Sequence, residues 1–231
     1  YQVATRIENG TTVTLGASNS LGRTSELANY GSLVIGQGIT QNVTGWNQVA
    51  SGSIALDGSL KLDQTGGQTI ANSFTGNGTF SVNLGGSGNA LVFSNTGALT
   101  DFTGTLALSN LLFDVANSTN YDSMLESTDI ALNGGAIFNA DASGSIHTSD
   151  FTFNGGTLRV GDIEAGNNTG AKVSVSGDIV ISSDSKIEVE GVKLEGTSNI
   201  LAADDGIKQT IAEFSGSVSG SLDDLLVTGV G

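Results

Sequence analysis

The sequence predicts an all-β chain wound as a single-stranded parallel β-helix, a solenoid of short strands stacked coil upon coil. A repeated unit is the first sign. Residues 128–139 read TDIALNGGAIFN and residues 149–160 read SDFTFNGGTLRV, one unit recurring 21 residues on. Recurrence at such a period, in strand-like pieces, marks coils that each bury the apolar side of the next. Apolar alternation of period two, not 3.6, then runs almost from end to end. Composition supplies the third sign: 34 Gly, no Pro and no Cys in 231 residues, with 6% aromatics. Proline would delete a ladder donor from any strand paired on both sides. With so few rings, the core is expected to be short aliphatic residues piled on their equivalents about 4.8 Å away, with no bulky keystone.

The elements follow in order. Alternating runs begin at Thr12 (TVTL), Ser32 (SLVI), Ser53 (SIALDGSLKL), Thr79 (TFSVNL), Ala90 (ALVF), Thr105 (TLAL) and Leu112 (LFDV). After the repeat come KVSV from Lys172, DIVIS from Asp178 and KIEV from Lys186. Within the repeat, Ile130, Leu132, Ile137, Phe151, Phe153, Leu158 and Val160 are expected inward, and Ala131, Ala136, Thr152, Thr157 and Arg159 outward. Glycines take corners of positive φ, and Asn133 lies over Asn154 as an amide ladder. Residues 116–128 and 201–210 lose the alternation and read as loops or short helical excursions, with 17–31 a third such stretch. Residues 1–231 otherwise form one continuous segment. The competing architecture is an antiparallel sandwich, because Asp57-Gly58 and Asn133-Gly134 are hairpin signals. The brevity of the strands and the recurrence of a whole unit favour coils.

A net charge of -15, from 23 acidic and 8 basic residues, disfavours nucleic acid and anionic lipid as partners. No run approaches the roughly 20 apolar residues of a membrane span, and the start YQVATRIENG lacks the regions of a signal peptide. The segment therefore reads as soluble, mature or excised, and not membrane-spanning. Absence of Cys leaves the redox compartment open and suits an exported chain.

Residues 58–110 carry Gly76-Asn77-Gly78-Thr79-Phe80-Ser81-Val82 and Phe102-Thr103-Gly104-Thr105-Leu106-Ala107-Leu108, separated by Asn- and Ser-rich corners. This stretch resembles the passenger-domain repeats of bacterial autotransporters; with the later repeat it covers about half the chain. The resemblance implies a right-handed, pertactin-like β-helix at the bacterial cell surface or released from it. It implies an adhesin, a self-associating factor or another virulence factor. Neither a secretion signal nor a membrane-barrel segment is read within the sequence, so against complete members of that family the chain is expected to be an excised passenger fragment.

Chemistry is sparse. The one His, His147, sits in SGSIHTSD without a Gly-x-Ser-x-Gly or Gly-Asp-Ser-Gly nucleophile motif, and reads as a solvated imidazole. Zinc and thiol chemistry lack ligands. Stacking brings Asp129, Asp150 and Asp178 into one column, which must lie at a wet corner, bind Ca²⁺ or hold raised pKa values. Asp204-Asp205 and Asp223-Asp224 read as solvated acidic turns. The few basic residues appear scattered, none grouped with acids at coil spacing. No catalytic, metal or cofactor residue is assigned.

From Gln64 through Thr100 no residue is charged, while hydroxyls and amides abound. Such a face can meet an identical face, or a sugar, without desolvating ions. Asn72, Asn77, Asn83 and Asn95 are its candidate contact residues. The expected function is a non-enzymatic surface segment for adhesion, self-association or biofilm formation, with a host or bacterial receptor, a glycan or itself as partner. A β-helical polysaccharide lyase or glycosidase, a phage-type tail fibre and a structural spacer are the alternatives.

Overall fold

The computed structural model describes residues 3–22, 24–115, 121–140, 145–160, 163–164, 172–182, 184–189, 192–193, 212–220 and 225–229. The chain opens with β1 (Val3–Ile7), β2 (Thr12–Leu15), β3 (Thr24–Asn29), β4 (Ser32–Ile35) and β5 (Thr40–Val43). Coils of three strands follow: β6 (Ser53–Leu56), β7 (Ser59–Asp63) and β8 (Gln68–Ile70), then β9 (Ser73–Gly76), β10 (Thr79–Asn83) and β11 (Ala90–Phe93). Next come β12 (Asp101–Phe102), β13 (Thr105–Ser109) and β14 (Leu112–Asp114), and then α1 (Tyr121–Leu125), β15 (Asp129–Asn133) and β16 (Ile137–Asn139). The following coil holds β17 (Ser145–Thr148), β18 (Phe151–Asn154), β19 (Thr157–Val160) and a small strand β20 (Ile163–Glu164). β21 (Lys172–Val175), β22 (Ile179–Ile181), β23 (Ser185–Val189) and β24 (Val192–Lys193) lead to β25 (Ala212–Phe214), β26 (Val218–Ser219) and β27 (Leu225–Gly229).

These strands stack into three sides. The first sheet has eight strands, ordered β5-β7-β10-β13-β15-β18-β22-β26, and the second has seven, β8-β11-β14-β16-β19-β23-β27. The third side is divided into β2-β4-β6-β9-β12 and β17-β21-β25. α1 takes the coil position between those two groups and packs on β17. It is the helical excursion expected within 116–128. Neighbouring strands within the sheets are parallel throughout, for example β7, β10 and β13; the antiparallel contact among the described residues is a single bridge, Asn133 to Gly155. The chain is therefore a parallel β-solenoid and not a sandwich. Register alone fixes the core: Leu60, Phe80, Leu106, Ile130, Phe151 and Ile179 form one buried column in the first sheet.

The repeat is not carried intact around its corner. Ile130 pairs with Phe151 and Asn133 with Asn154, 21 residues apart, but Ile137 pairs with Thr157 and Phe138 with Leu158, 20 apart. The corner Gly134-Gly135-Ala136 holds one residue more than Gly155-Gly156, with Gly135 and Gly155 both left-handed at φ 74° and 79°. A slip of one residue exchanges the faces of a strand. Ala136 is consequently buried and Ile137 faces out, the reverse of the expectation, while Phe138 fills the inward position. The other inward and outward assignments in the repeat hold.

The expectation of a core without large rings is also overturned. Trp46, Phe74, Phe80, Phe93, Phe102, Phe113, Tyr121, Phe138, Phe151 and Phe153 form one unbroken run of ring contacts, with centroids 4.7 to 6.4 Å apart. Few aromatic residues suffice because nearly all are directed to one axis, where edge and offset contacts contribute about 0.5–1.5 kcal/mol each beyond burial. Residues 17–31 likewise differ from a simple loop. Residues 16–22 cross the outer edge of β5, but Thr24–Asn29 is strand β3, paired with β1.

Candidate functional site

The outward residues of the first sheet make a flat, regular flank. Thr79, Ser81 and Asn83 of β10 align with Thr105, Ala107 and Ser109 of β13 and with Ser59, Lys61 and Asp63 of β7. At its margin the amides form ladders. Asn83 Nδ2 donates to Asp63 Oδ1 at 3.1 Å and Asn110 Nδ2 to Asn83 Oδ1 at 3.2 Å. Farther along, Asn154 Nδ2 donates to Asn133 Oδ1 at 2.9 Å, the ladder expected from the repeat. Of the four candidate contact residues, Asn77 is exposed and Asn83 and Asn95 are half-buried. Asn95 closes its own turn by accepting the Gly97 N–H at 3.0 Å. Asn72 is fully buried and cannot contact a partner. A corner Asn can be turned either way, and sequence offers no sign of which; here the interior offers Asn72 a donor and two acceptors.

Asp129, Asp150 and Asp178 do form a column, and its chemistry is stitching. The Asp150 N–H donates to Asp129 Oδ1 at 3.1 Å and the Asp178 N–H to Asp150 Oδ1 at 2.7 Å. Ser217 donates to Asp178 Oδ1 through both N–H (2.6 Å) and Oγ–H (3.0 Å). Each carboxylate thus satisfies the backbone of the next coil while remaining half or fully exposed, so mutual repulsion is screened. The Ser217 N–H, then its hydroxyl, hold the Asp178 carboxyl below its ordinary 3.8, opposite to the raised value a crowded acid would show. A depressed folded pKa contributes stability that is present above the ordinary value and lost as pH falls through the lower folded one. Asp178→Asn should therefore melt less well than the parent above about pH 5, and the gap should close as pH falls below the ordinary 3.8 and through the lower folded value, which a thermal-melt series across pH would show. Equal differences at every pH would disprove the stitch. Among the described residues no three His, Cys, Asp or Glu side chains are placed to hold a metal ion. Asp204-Asp205 and Asp223-Asp224 lie outside the described residues, as does the stretch 201–210.

His147 is half-exposed as expected but not merely solvated. Its Nδ1 meets Asp122 Oδ1, and its backbone N–H donates to the same oxygen at 3.1 Å. Asp122 belongs to α1 and His147 to β17, so the pair ties the helix to the strand beneath. The next coil places Ser174 in register with His147, and the imidazole's hydrogen bond runs to the acid.

One polar column escaped the sequence. On the second sheet Asp114, Asn139, Arg159 and Glu188 lie in successive coils. Asn139 Nδ2 donates to Asp114 Oδ1 at 3.1 Å, and Arg159 Nη2 meets Glu188 Oε2 at 3.2 Å. The expectation that no basic residue joins acids at coil spacing is therefore wrong. The partners are 29 residues apart, a separation that signals nothing until the length of that coil is known. Beside the column, Leu112 and Ile137 face outward half-buried and Val92 is exposed.

Fold and surface together define a class: a parallel β-solenoid whose ordered chemistry lies along its flanks. The chain is similar to a protein of Escherichia coli (strain K12) called uncharacterized protein YuaQ, with 28% identity over 149 residues. Those residues are 64% of this chain and 10% of the relative, so the chain spans only a small part of that protein's length. No family model matches the chain, and no solved structure does. Among the described residues no helix is long and apolar enough to cross a membrane.

Proposed function

We propose that this chain is a segment of a non-enzymatic bacterial surface protein, of the autotransporter-passenger kind, that mediates adhesion, self-association or biofilm formation through the flank of its solenoid. The observation that carries this reading is the first-sheet flank, where Thr79, Ser81 and Asn83 of uncharged β10 stand in register with Thr105 and Ser109, beside a Lys61–Asp63 ion pair that neutralises itself. Each hydrogen bond across such a face contributes only about 0.5–1.5 kcal/mol, so attachment arises from many contacts in parallel along the rod. A surface receptor, a glycan or a second copy is the partner, and the cell surface or surrounding medium the location. Cells displaying the chain should settle faster than cells without it. Ser81→Lys combined with Ala107→Lys, which sets two cations on the flank, should return settling to the control rate. Absence of clumping, adhesion and biofilm in the parent would remove the reading.

A second reading is favoured by the Asp114–Asn139–Arg159–Glu188 column, since acids beside an Arg are what a β-helical polysaccharide-degrading enzyme or tail fibre uses. Release of reducing or unsaturated ends from a polysaccharide, abolished by Glu188→Gln, would establish it in place of the first.

A further inference from the structure

Asparagine amides in this solenoid are spent on joining coils and closing corners. From Asn19 to Asn154 the described Asn side chains, save one, each donate or accept a hydrogen bond within the chain. The exceptions among the described residues are Asn9 and Asn77, whose side chains make none. Both are exposed, and both open the same tripeptide, Asn-Gly-Thr. Asn-x-Ser/Thr, with x other than Pro, is the pattern in which an Asn amide at a surface turn accepts a sugar. Asn9 and Gly10 form the turn after β1, closed by the Thr11 N–H donating to the Glu8 carbonyl at 3.0 Å; Gly10 is left-handed at φ 78°, and a Cβ on it would meet nothing within 4 Å. Asn77 lies between β9 and β10. There Gly78 is pressed onto the coil beneath, where a Cβ would come within 2.2 Å of the Gly58 carbonyl oxygen, and its N–H donates to the Leu56 carbonyl at 2.8 Å. The backbone is pinned and the Asn77 amide is left in solvent. The Thr11 and Thr79 hydroxyls also make no hydrogen bond within the described residues.

A third tripeptide of the same pattern supplies the contrast. In Asn42-Val43-Thr44 the Asn42 Nδ2 donates to Asn19 Oδ1 at 2.6 Å and the Thr44 Oγ–H to the Thr24 carbonyl at 3.0 Å, so both groups that the transfer requires are held inside the fold. Asn117-Ser118-Thr119 and Asn167-Asn168-Thr169 lie outside the described residues.

We propose that Asn9 and Asn77 are glycosylation sites, each carrying a sugar on Nδ2, while Asn42 stays bare. The co-reactant is an activated sugar phosphate, nucleotide- or lipid-linked, brought by a glycosyltransferase. The bond from Nδ2 to the anomeric carbon forms, the bond from that carbon to the phosphate oxygen breaks, and one Nδ2 proton passes to a base of the transferase. The hydroxyl two residues on is the hydrogen-bonding group by which the acceptor amide is recognised. No internal bond is given up at either corner, since neither amide holds a coil. The inference stands whether or not the neighbouring flank is adhesive.

Glycopeptide mass spectrometry on the protein taken from the cells that make it tests this site by site. Sugar should be found on Asn9 and Asn77 and not on Asn42. Thr11→Ala should clear Asn9 alone and Thr79→Ala should clear Asn77 alone, whereas Thr11→Ser and Thr79→Ser, which keep the hydroxyl, should leave both occupied. In vitro, with UDP-glucose and a glucosyltransferase directed at Asn-x-Ser/Thr, the folded chain should take glucose at the same two positions, and Asn42 should join them only after the chain is unfolded. Bare Asn9 and Asn77 in the natural protein would overturn the inference. So would Asp at those positions in place of a glycosylated Asn, the product of ammonia loss at an Asn-Gly bond, or a sugar on Asn42 of the folded chain.

Discussion

Phe113→Ala should lower the stability of the chain by about 3–5 kcal/mol, the range for emptying a ring-sized site in a packed core. Phe113 is fully buried in β14 and touches Phe93, Tyr121 and Phe138 with centroids at 5.9, 5.3 and 5.6 Å. Its removal breaks the aromatic run at mid-stack and takes away the surface on which α1 rests. Neighbouring strands cannot close the gap, because their spacing is set by ladder bonds above and below. Tm should fall by roughly 6–20 °C for a chain of this size, with the near-ultraviolet signal of the rings lost before the far-ultraviolet strand signal. Phe113→Leu, which keeps most of the volume, should cost less than half as much. A loss below about 1 kcal/mol for the Ala variant would mean that the rings do not form a continuous core.

Asn72→Leu should be damaging for the opposite reason, since no volume is lost. Asn72 Oδ1 accepts the Trp46 Nε1–H at 3.0 Å, and Nδ2 donates to the Asn29 and Gly52 carbonyls at 2.9 Å each. All of this is buried at the corner between β8 and β9, and Asn29 itself is fully buried and bridges Ser53 and Gly31. An apolar residue there orphans the buried indole N–H, at about 1–3 kcal/mol, and takes one of two partners from each carbonyl, since the Asn29 carbonyl still accepts the Gly52 N–H and the Gly52 carbonyl the Ser73 N–H. Denaturant unfolding should show a loss of about 1–3 kcal/mol. Asn72→Asp should be worse at pH 7 than at pH 4: a buried carboxylate facing two carbonyls has its folded pKa raised, so stability is lost as pH rises. An Asn72→Leu variant as stable as the parent would show that the corner is wet and the network dispensable.

The strand runs from Thr12, Ser32, Ser53, Thr79, Ala90, Thr105 and Leu112 were legible because alternation there is clean. Strands such as Thr40–Val43 and Gln68–Ile70 were not, since buried amides replace apolar residues at Gln41 and Gln68. The Asn133–Asn154 ladder and the Asp129–Asp150–Asp178 column followed from the repeat, where the offset is constant. The Arg159–Glu188 pair did not, because coil length varies and an outward residue finds its neighbour only after every intervening loop has been measured.

By itself the sequence determined that this is a β-solenoid, because a period-two pattern in a recurring unit without proline has few other ways to bury its apolar side. It determined the sign of the surface as well. Tertiary structure decided which way each corner residue turned. One additional residue at Gly134-Gly135-Ala136 sent Ile137 outward, the aromatic rings converged on a common axis, and Asn72 went inside while Asn77 and Asn83 stayed at the surface. The physical reason is the same in each case. Side-chain direction in a strand is fixed by counting from the last corner, and the count at a glycine corner is set by the coil beneath it.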